Sequence, residues 1–233
     1  TAAGEALAWA VLVAGVVAVL NAGSTAQLAA VHPVAGGVYA YGRAELGRWP
    51  GFAAGIGFVL GKTASIAAIA LAIGAYVWPE RPAAVATIAL LASWALNSRG
   101  ITRTSGASLV IASAVIGVLV AAMIAMTGAE APATATFGWT SPESGAAGIV
   151  QAAALVFFAF AGYARIATLG EEVRDPARTI PRAIGLALGL VVALYLALAL
   201  VLPEAVGDGL AGSSAPLEDA VAGTWLPVPV VTA

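Results

Sequence analysis

Residues 6–31 form an apolar run without one charged side chain. At about 1.5 Å of rise per residue, such a run as a helix crosses a hydrocarbon core of about 30 Å. Further runs cover 49–79, charged only at Lys62, then 82–96, 105–126, 146–169, charged only at Arg165, and 183–202. Pro79 and Pro82 punctuate the turn between the second and third runs. Six membrane spans are therefore expected. In lipid every backbone polar group must find a partner inside the protein, which leaves helices and closed barrels. Runs of this length are helical, so the expected fold class is all-α transmembrane.

Composition closes off other classes. Of 233 residues, 61% are hydrophobic and 9% charged, a balance that water does not tolerate in a domain of this size. There is no cysteine, and His32 is the only histidine, so neither a disulfide framework nor a Cys/His metal site can be assembled. No cofactor and no metal is expected. Clustered Lys and Arg, which phosphate binding requires, are missing, and nucleic acid is not an expected partner. The lipid bilayer is.

Basic residues concentrate in alternate loops. Arg43 and Arg48 follow the first span, Arg99 and Arg103 the third, and Arg174, Arg178 and Arg182 the fifth. The intervening loops hold Arg81 with Glu80, Glu130, Glu143, Glu204, Asp208, Glu218 and Asp219. Loops rich in arginine stay on the cytoplasmic side, so the first residue is expected outside a cytoplasmic membrane, with the first span running inward. That entry, Thr1 in place of Met, and the closing TWLPVPVVTA, which reads as the start of another span, lead us to expect one transmembrane domain over 1–233 truncated at both ends.

Three features bear on function. Gly162 stands inside the fifth run among Ala159, Ala161 and Ala164, flanked by Phe157, Phe158, Phe160 and Tyr163. Glycine weakens a helix, and a broken membrane helix frees N–H and C=O groups that can hold a substrate carboxylate, an ammonium or an ion. Small residues are also ordinary helix-packing surfaces, so both readings are open. Lys62 lies roughly 20 Å from either end of its run at helical rise, beyond the reach of snorkelling. A cation at that depth costs several kcal/mol unless it finds a partner, faces a polar cavity or gives up its proton. It is a proton-coupling group, a charge standing where another carrier holds a cation, or a structural lysine bonded to helix-end carbonyls. Arg165, about one turn from Glu171 and Glu172, is a candidate gate or an interfacial anchor. The segment from Glu171 reads as a surface connector, with Pro181 beginning the sixth helix. Pro33, Gly36 and Gly37 mark a sharp turn whose role is placement.

Three segments resemble the amino acid/polyamine/organocation permease superfamily, and bacterial amino acid permeases in particular: STAQLAAVHPVAGGVYAYGRAELG from Ser24, NSRGITRTSG from Asn97 and, most specifically, FFAFAGYARIATLGEEVRDPARTIPRAI from Phe157. The match places the chain on helices two to seven of a twelve-helix carrier, part of an inverted repeat of five plus five helices of the LeuT type. The resemblance implies that substrate is held by broken first and sixth helices flanked by the third. Phe158, Ala159, Phe160, Ala161, Gly162 and Tyr163 would then line the site, with Lys62 and Ser65 on the flanking helix. Many members carry an acidic residue where this chain has Ala164, and several proton-coupled members carry a lysine in the fifth helix where this chain has none. Lys62 is the substitute candidate.

The function expected is secondary active transport of amino acids or related small amines by alternating access, as proton-coupled symport or exchange, with no chemical catalysis. Two other classes remain at this point: a helical fragment that folds without transporting, and a membrane-embedded enzyme. The second would need convergent acid, base or nucleophile groups, whereas the spans hold only Lys62 and Arg165 as charges.

Overall fold

A computed structural model describes residues 7–98, 101–128, 145–213 and 215–232. Thr1, Arg99, Glu130 and Glu143 lie outside the described residues, as do the side chains of Arg103, Ser105 and Asp208. The described residues are helical, with no strand among them. They run α1 (Leu7–Val31), α2 (Val38–Glu45), α3 (Arg48–Val77), α4 (Pro82–Asn97), α5 (Ile101–Thr127), α6 (Gly145–Phe160), α7 (Tyr163–Ile166), α8 (Pro176–Val206), a single turn of 3-10 helix at Gly207–Ala211, α9 (Pro216–Val221) and α10 (Val228–Thr232). Five stretches are long and apolar enough to cross a membrane: α1, α3, Ser108–Thr127 in α5, Gly145–Ile166 and α8. The third expected span, 82–96, is α4, an apolar helix of 16 residues, about 24 Å long and shorter than these five.

Two compact units divide the chain, one within Thr1–Thr63 and Trp139–Ala199, the other within Ala64–Gly138 and Leu200–Ala233. In the first, α1 packs along α6. The buried face of α1 includes a stripe of small residues at helical spacing, Ala8, Ala14, Ala18, Ala22, Thr25 and Ala29, and α6 in turn buries Gly148, Ala152 and Ala153. Without large side chains between them the two backbones approach closely, which is how membrane helices gain van der Waals contact when lipid offers no hydrophobic drive. Hydroxyls inside the helices bond one turn back, as Thr25 does to the Asn21 carbonyl and Thr63 to the Val59 carbonyl, and so present no orphan donor to lipid.

In the second unit, Pro82 takes the first position of α4, where its missing N–H costs nothing. Arg81 lies over the Trp78 ring, whose indole N–H donates to Glu80, an arrangement suited to a membrane–water boundary. Farther on, α9 and α10 pack on α5, and Ser213 donates to Asp219 ahead of α9. Large apolar side chains stand exposed throughout: Leu20 at 68%, Leu109 at 70% and Leu186 at 77%. Lipid or further helices are the natural neighbours of such faces.

The last long helix differs from expectation at its start. It begins at Pro176 rather than at Pro181, which lies inside it. Asp175, whose short polar side chain tolerates the left-handed conformation it adopts (φ 48°), turns the chain, and its carbonyl accepts the N–H groups of Arg178 and Thr179. That nucleates the first turn five residues early. Pro181 forfeits one ladder bond near the start, a defect that membrane helices accommodate.

Candidate functional site

The fifth apolar run does not continue as one helix. α6 stops at Phe160, and the ladder gives way to tighter turns in which Ala161 N–H meets the Phe158 carbonyl, Ala164 N–H the Ala161 carbonyl and Arg165 N–H the Gly162 carbonyl. After the four residues of α7 the same i to i−3 pattern carries the chain through Thr168, Leu169 and Glu172. Gly162 keeps helical angles, φ −58° and ψ −33°, and a Cβ placed on it would meet nothing within 4 Å. The break is therefore a loosened helix rather than a sharp glycine kink.

Lys62 reaches this loosened turn. Its Nζ donates to the Ala161 carbonyl at 3.2 Å and lies 5.9 Å from the centre of the Phe58 ring, one helical turn away on α3. A charged donor on a carbonyl already shared with a weak turn bond is a favourable partner, since hydrogen bonds to charged groups are the stronger class. Both residues belong to the same unit, although 99 positions separate them in sequence.

Helical geometry divides the remaining residues read from the sequence. Phe158, Ala159 and Gly162 are exposed, while Phe160 and Tyr163 are buried, Phe160 against Tyr195 of α8 with ring centres 5.3 Å apart. Ser65 lies three residues beyond Lys62 on α3, in the second unit. Arg165 is exposed and donates to the Thr168 hydroxyl at 2.7 Å, which in turn donates to the Arg165 carbonyl. Glu171 and Glu172 are not its partners; Glu171 instead accepts the Ala35 N–H at 3.2 Å. Beside α2, an apolar groove of about 460 Å³ runs along α3, lined by Val38, Tyr39, Phe52, Ile56 and Val59.

Contacts between the 32–41 segment and the 167–171 turn were not legible in the sequence. Gly36 (φ 114°) and Gly37 (φ 51°) make the turn that a side chain would strain. The Tyr41 hydroxyl then donates to the Ala167 carbonyl at 3.0 Å, and Gly170 presses on the Val34 backbone. Burial pushes the Tyr41 phenol above its ordinary value, so it remains a donor throughout the physiological range. His32 stacks on the Tyr41 ring at 6.4 Å and its Nε2 pairs with Glu45 Oε1 at 2.6 Å. The glycines were a visible signal of close approach, but their partners lie more than a hundred residues away.

Residues 1–215 match the family model for amino acid permeases. An uncharacterized transporter of Mycobacterium tuberculosis is 50% identical over 99% of this chain and 53% of its own length. The cationic amino acid transporter 5 of Arabidopsis thaliana is 30% identical over 77% of this chain and 34% of its own. The methylthioribose transporter of Bacillus subtilis is 29% identical over 78% and 43%. The chain thus spans about half the length of the first of these relatives and less of the other two. With five membrane-crossing stretches and relatives named as transporters, it is a multi-pass membrane protein.

Proposed function

Because the chain belongs to the amino acid permease family, we propose that it forms part of a secondary active transporter that moves amino acids or related small amines across the cytoplasmic membrane by alternating access, coupled to protons. The observation that carries this reading is the hydrogen bond from Lys62 to the Ala161 carbonyl at the loosened turn between α6 and α7. It places a titratable cation on the one backbone segment of that span whose groups are not committed to a regular helix. Charged, the amine holds the Ala161 carbonyl; uncharged, it holds it less, so gain and loss of a proton bias the geometry of the turn.

In this reading the exposed Phe158, Ala159 and Gly162 face substrate, Phe160 and Tyr163 support them from behind, and the turn bonds at Ala161 and Gly162 open to give their groups to the substrate's charged ends. Arg165 with Thr168 forms a gate contact. With α4 taken as a crossing, the loops bearing Arg43 and Arg48 and Arg174 to Arg182 share one side, the cytoplasmic one. Names among the relatives, a cationic amino acid transporter and a methylthioribose transporter, support a broad class of small organic substrates rather than one amino acid.

The test is uptake of a labelled amino-acid panel by the whole protein in liposomes, with and without an imposed pH gradient. Accumulation driven by the gradient is the expected result; no uptake of any member under any gradient overturns the reading.

The loosened turn also makes a separate prediction. Gly162→Ala meets no steric obstacle and suits the helical angles already present, so it should strengthen the turn by about 1 kcal/mol and raise the unfolding temperature by a few degrees. Stiffening should at the same time slow uptake severalfold. Thermal unfolding in detergent and initial uptake rates read the two effects, and a variant with unchanged rate would show that the turn need not flex.

A further inference from the structure

The loosened segment is tied at both ends to one hairpin, α2 with the first half of α3. At the near end Lys62 holds Ala161; at the far end Tyr41 holds Ala167 through a buried hydrogen bond. Ala167 is fully buried, so its carbonyl cannot exchange Tyr41 for water while the turn stays in place. Two further contacts lie in the same seam: Glu171 accepts the Ala35 N–H, and Gly170 packs directly on the Val34 backbone. Tyr41 is itself braced, since His32 stacks on its ring and Glu45 fixes His32. A row of contacts running Glu45, His32, Tyr41, Ala167 thus ends on the residue that closes α7.

We infer that Tyr41 is a positioning residue whose hydroxyl latches the far end of α7 to α2, so that α7 and the 167–171 turn move together only when this bond opens. The inference rests on the transporter reading for its role in a cycle, but the latch is measurable without transport. Three ties in one seam make the opening cooperative: the turn leaves as a unit, giving up Tyr41, Glu171 and the Gly170 contact at once, or it does not leave. Substrate held at 158–162 would be released towards the side on which the seam opens.

The chain has no cysteine, so an introduced thiol is the only one within it, and labelling of the whole protein without Thr168→Cys supplies the background. Thr168 is half-buried and faces Gly37, whose Cβ, were it present, would stand 3.0 Å from Thr168 Cγ2. In the whole protein in detergent, Thr168→Cys should react slowly with a soluble maleimide. Adding Tyr41→Phe, which keeps the ring on His32 and deletes only the donor, should raise the rate about tenfold. Glu171→Ala, cutting a second tie of the seam, should raise it as well. Tyr39→Phe, on the same helix but bonded to Arg43, should leave it unchanged. In liposomes Tyr41→Phe should alter the maximal exchange rate at least fivefold. Equal labelling with and without Tyr41→Phe overturns the latch. Faster labelling with an unaltered exchange rate overturns its part in the cycle. Faster labelling in a protein that moves no amino acid upholds the latch and overturns the transporter reading.

Discussion

Replacing Lys62 with alanine should cost the whole protein its gradient-driven accumulation, by roughly thirtyfold, while exchange of internal for external substrate persists. The estimate follows from the bond removed: a charged donor on a carbonyl contributes about 1.5–3 kcal/mol, and here it also ties α3 to the one loosened turn of the α6–α7 span. Exchange needs the site to alternate only while loaded, whereas accumulation needs the proton to be carried and released. Lys62→Arg separates charge from proton. The guanidinium keeps the positive charge and a donor but does not deprotonate in proteins, so exchange should resemble wild type while accumulation fails as it does in the alanine variant. Accumulation retained in both variants would make Lys62 a structural tie. Accumulation retained in the arginine variant alone would assign the role to charge rather than to proton transfer.

The depth of Lys62 was legible because it needs only a count of apolar residues on either side. Its partner was not, since hydrogen bonding to Ala161 depends on how α3 packs on the end of α6, 99 residues later. The same holds for the seam. The turn at Pro33, Gly36 and Gly37 announced a tight approach, but what approaches it, the 167–171 turn, is set by the packing of α1 against α6. That packing was implicit in the Ala and Gly stripe of α1, a spacing that in membranes marks an interface without naming the other side.

Two further features depend on geometry rather than on order in the sequence. Phe157 to Tyr163 reads as one aromatic lining along the sequence, yet successive residues turn by about 100° on a helix, which sends Phe160 and Tyr163 into the packing and leaves Phe158 and Gly162 outside. Proximity in sequence is not a shared face. The start of α8 was misplaced for a related reason: Pro176 and Pro181 both suit a first helical turn, and only the left-handed Asp175, whose carbonyl captures two N–H groups, selects the earlier one.

Gly170→Ala should be strongly damaging in the first unit. A Cβ on Gly170 would stand 2.7 Å from the Val34 carbonyl oxygen and 2.8 Å from its carbonyl carbon and its nitrogen. All three are backbone atoms, so no side chain can swing aside, and the turn itself must back away from the 32–37 segment. Overpacking of this kind costs about 1–3 kcal/mol, and here the displacement also stretches the Tyr41 and Glu171 bonds. An unfolding temperature lowered by roughly 4–10 °C is expected, together with labelling of Thr168→Cys at least as fast as in the Tyr41→Phe background. The contrast with Gly162→Ala, eight residues earlier, is the informative part. The same methyl added where nothing lies within 4 Å should raise stability and leave the seam closed. Were Gly170→Ala to unfold at the wild-type temperature with Thr168→Cys still protected, the Val34 contact would not bear on the seam, and its closure would rest on the Tyr41 and Glu171 bonds alone.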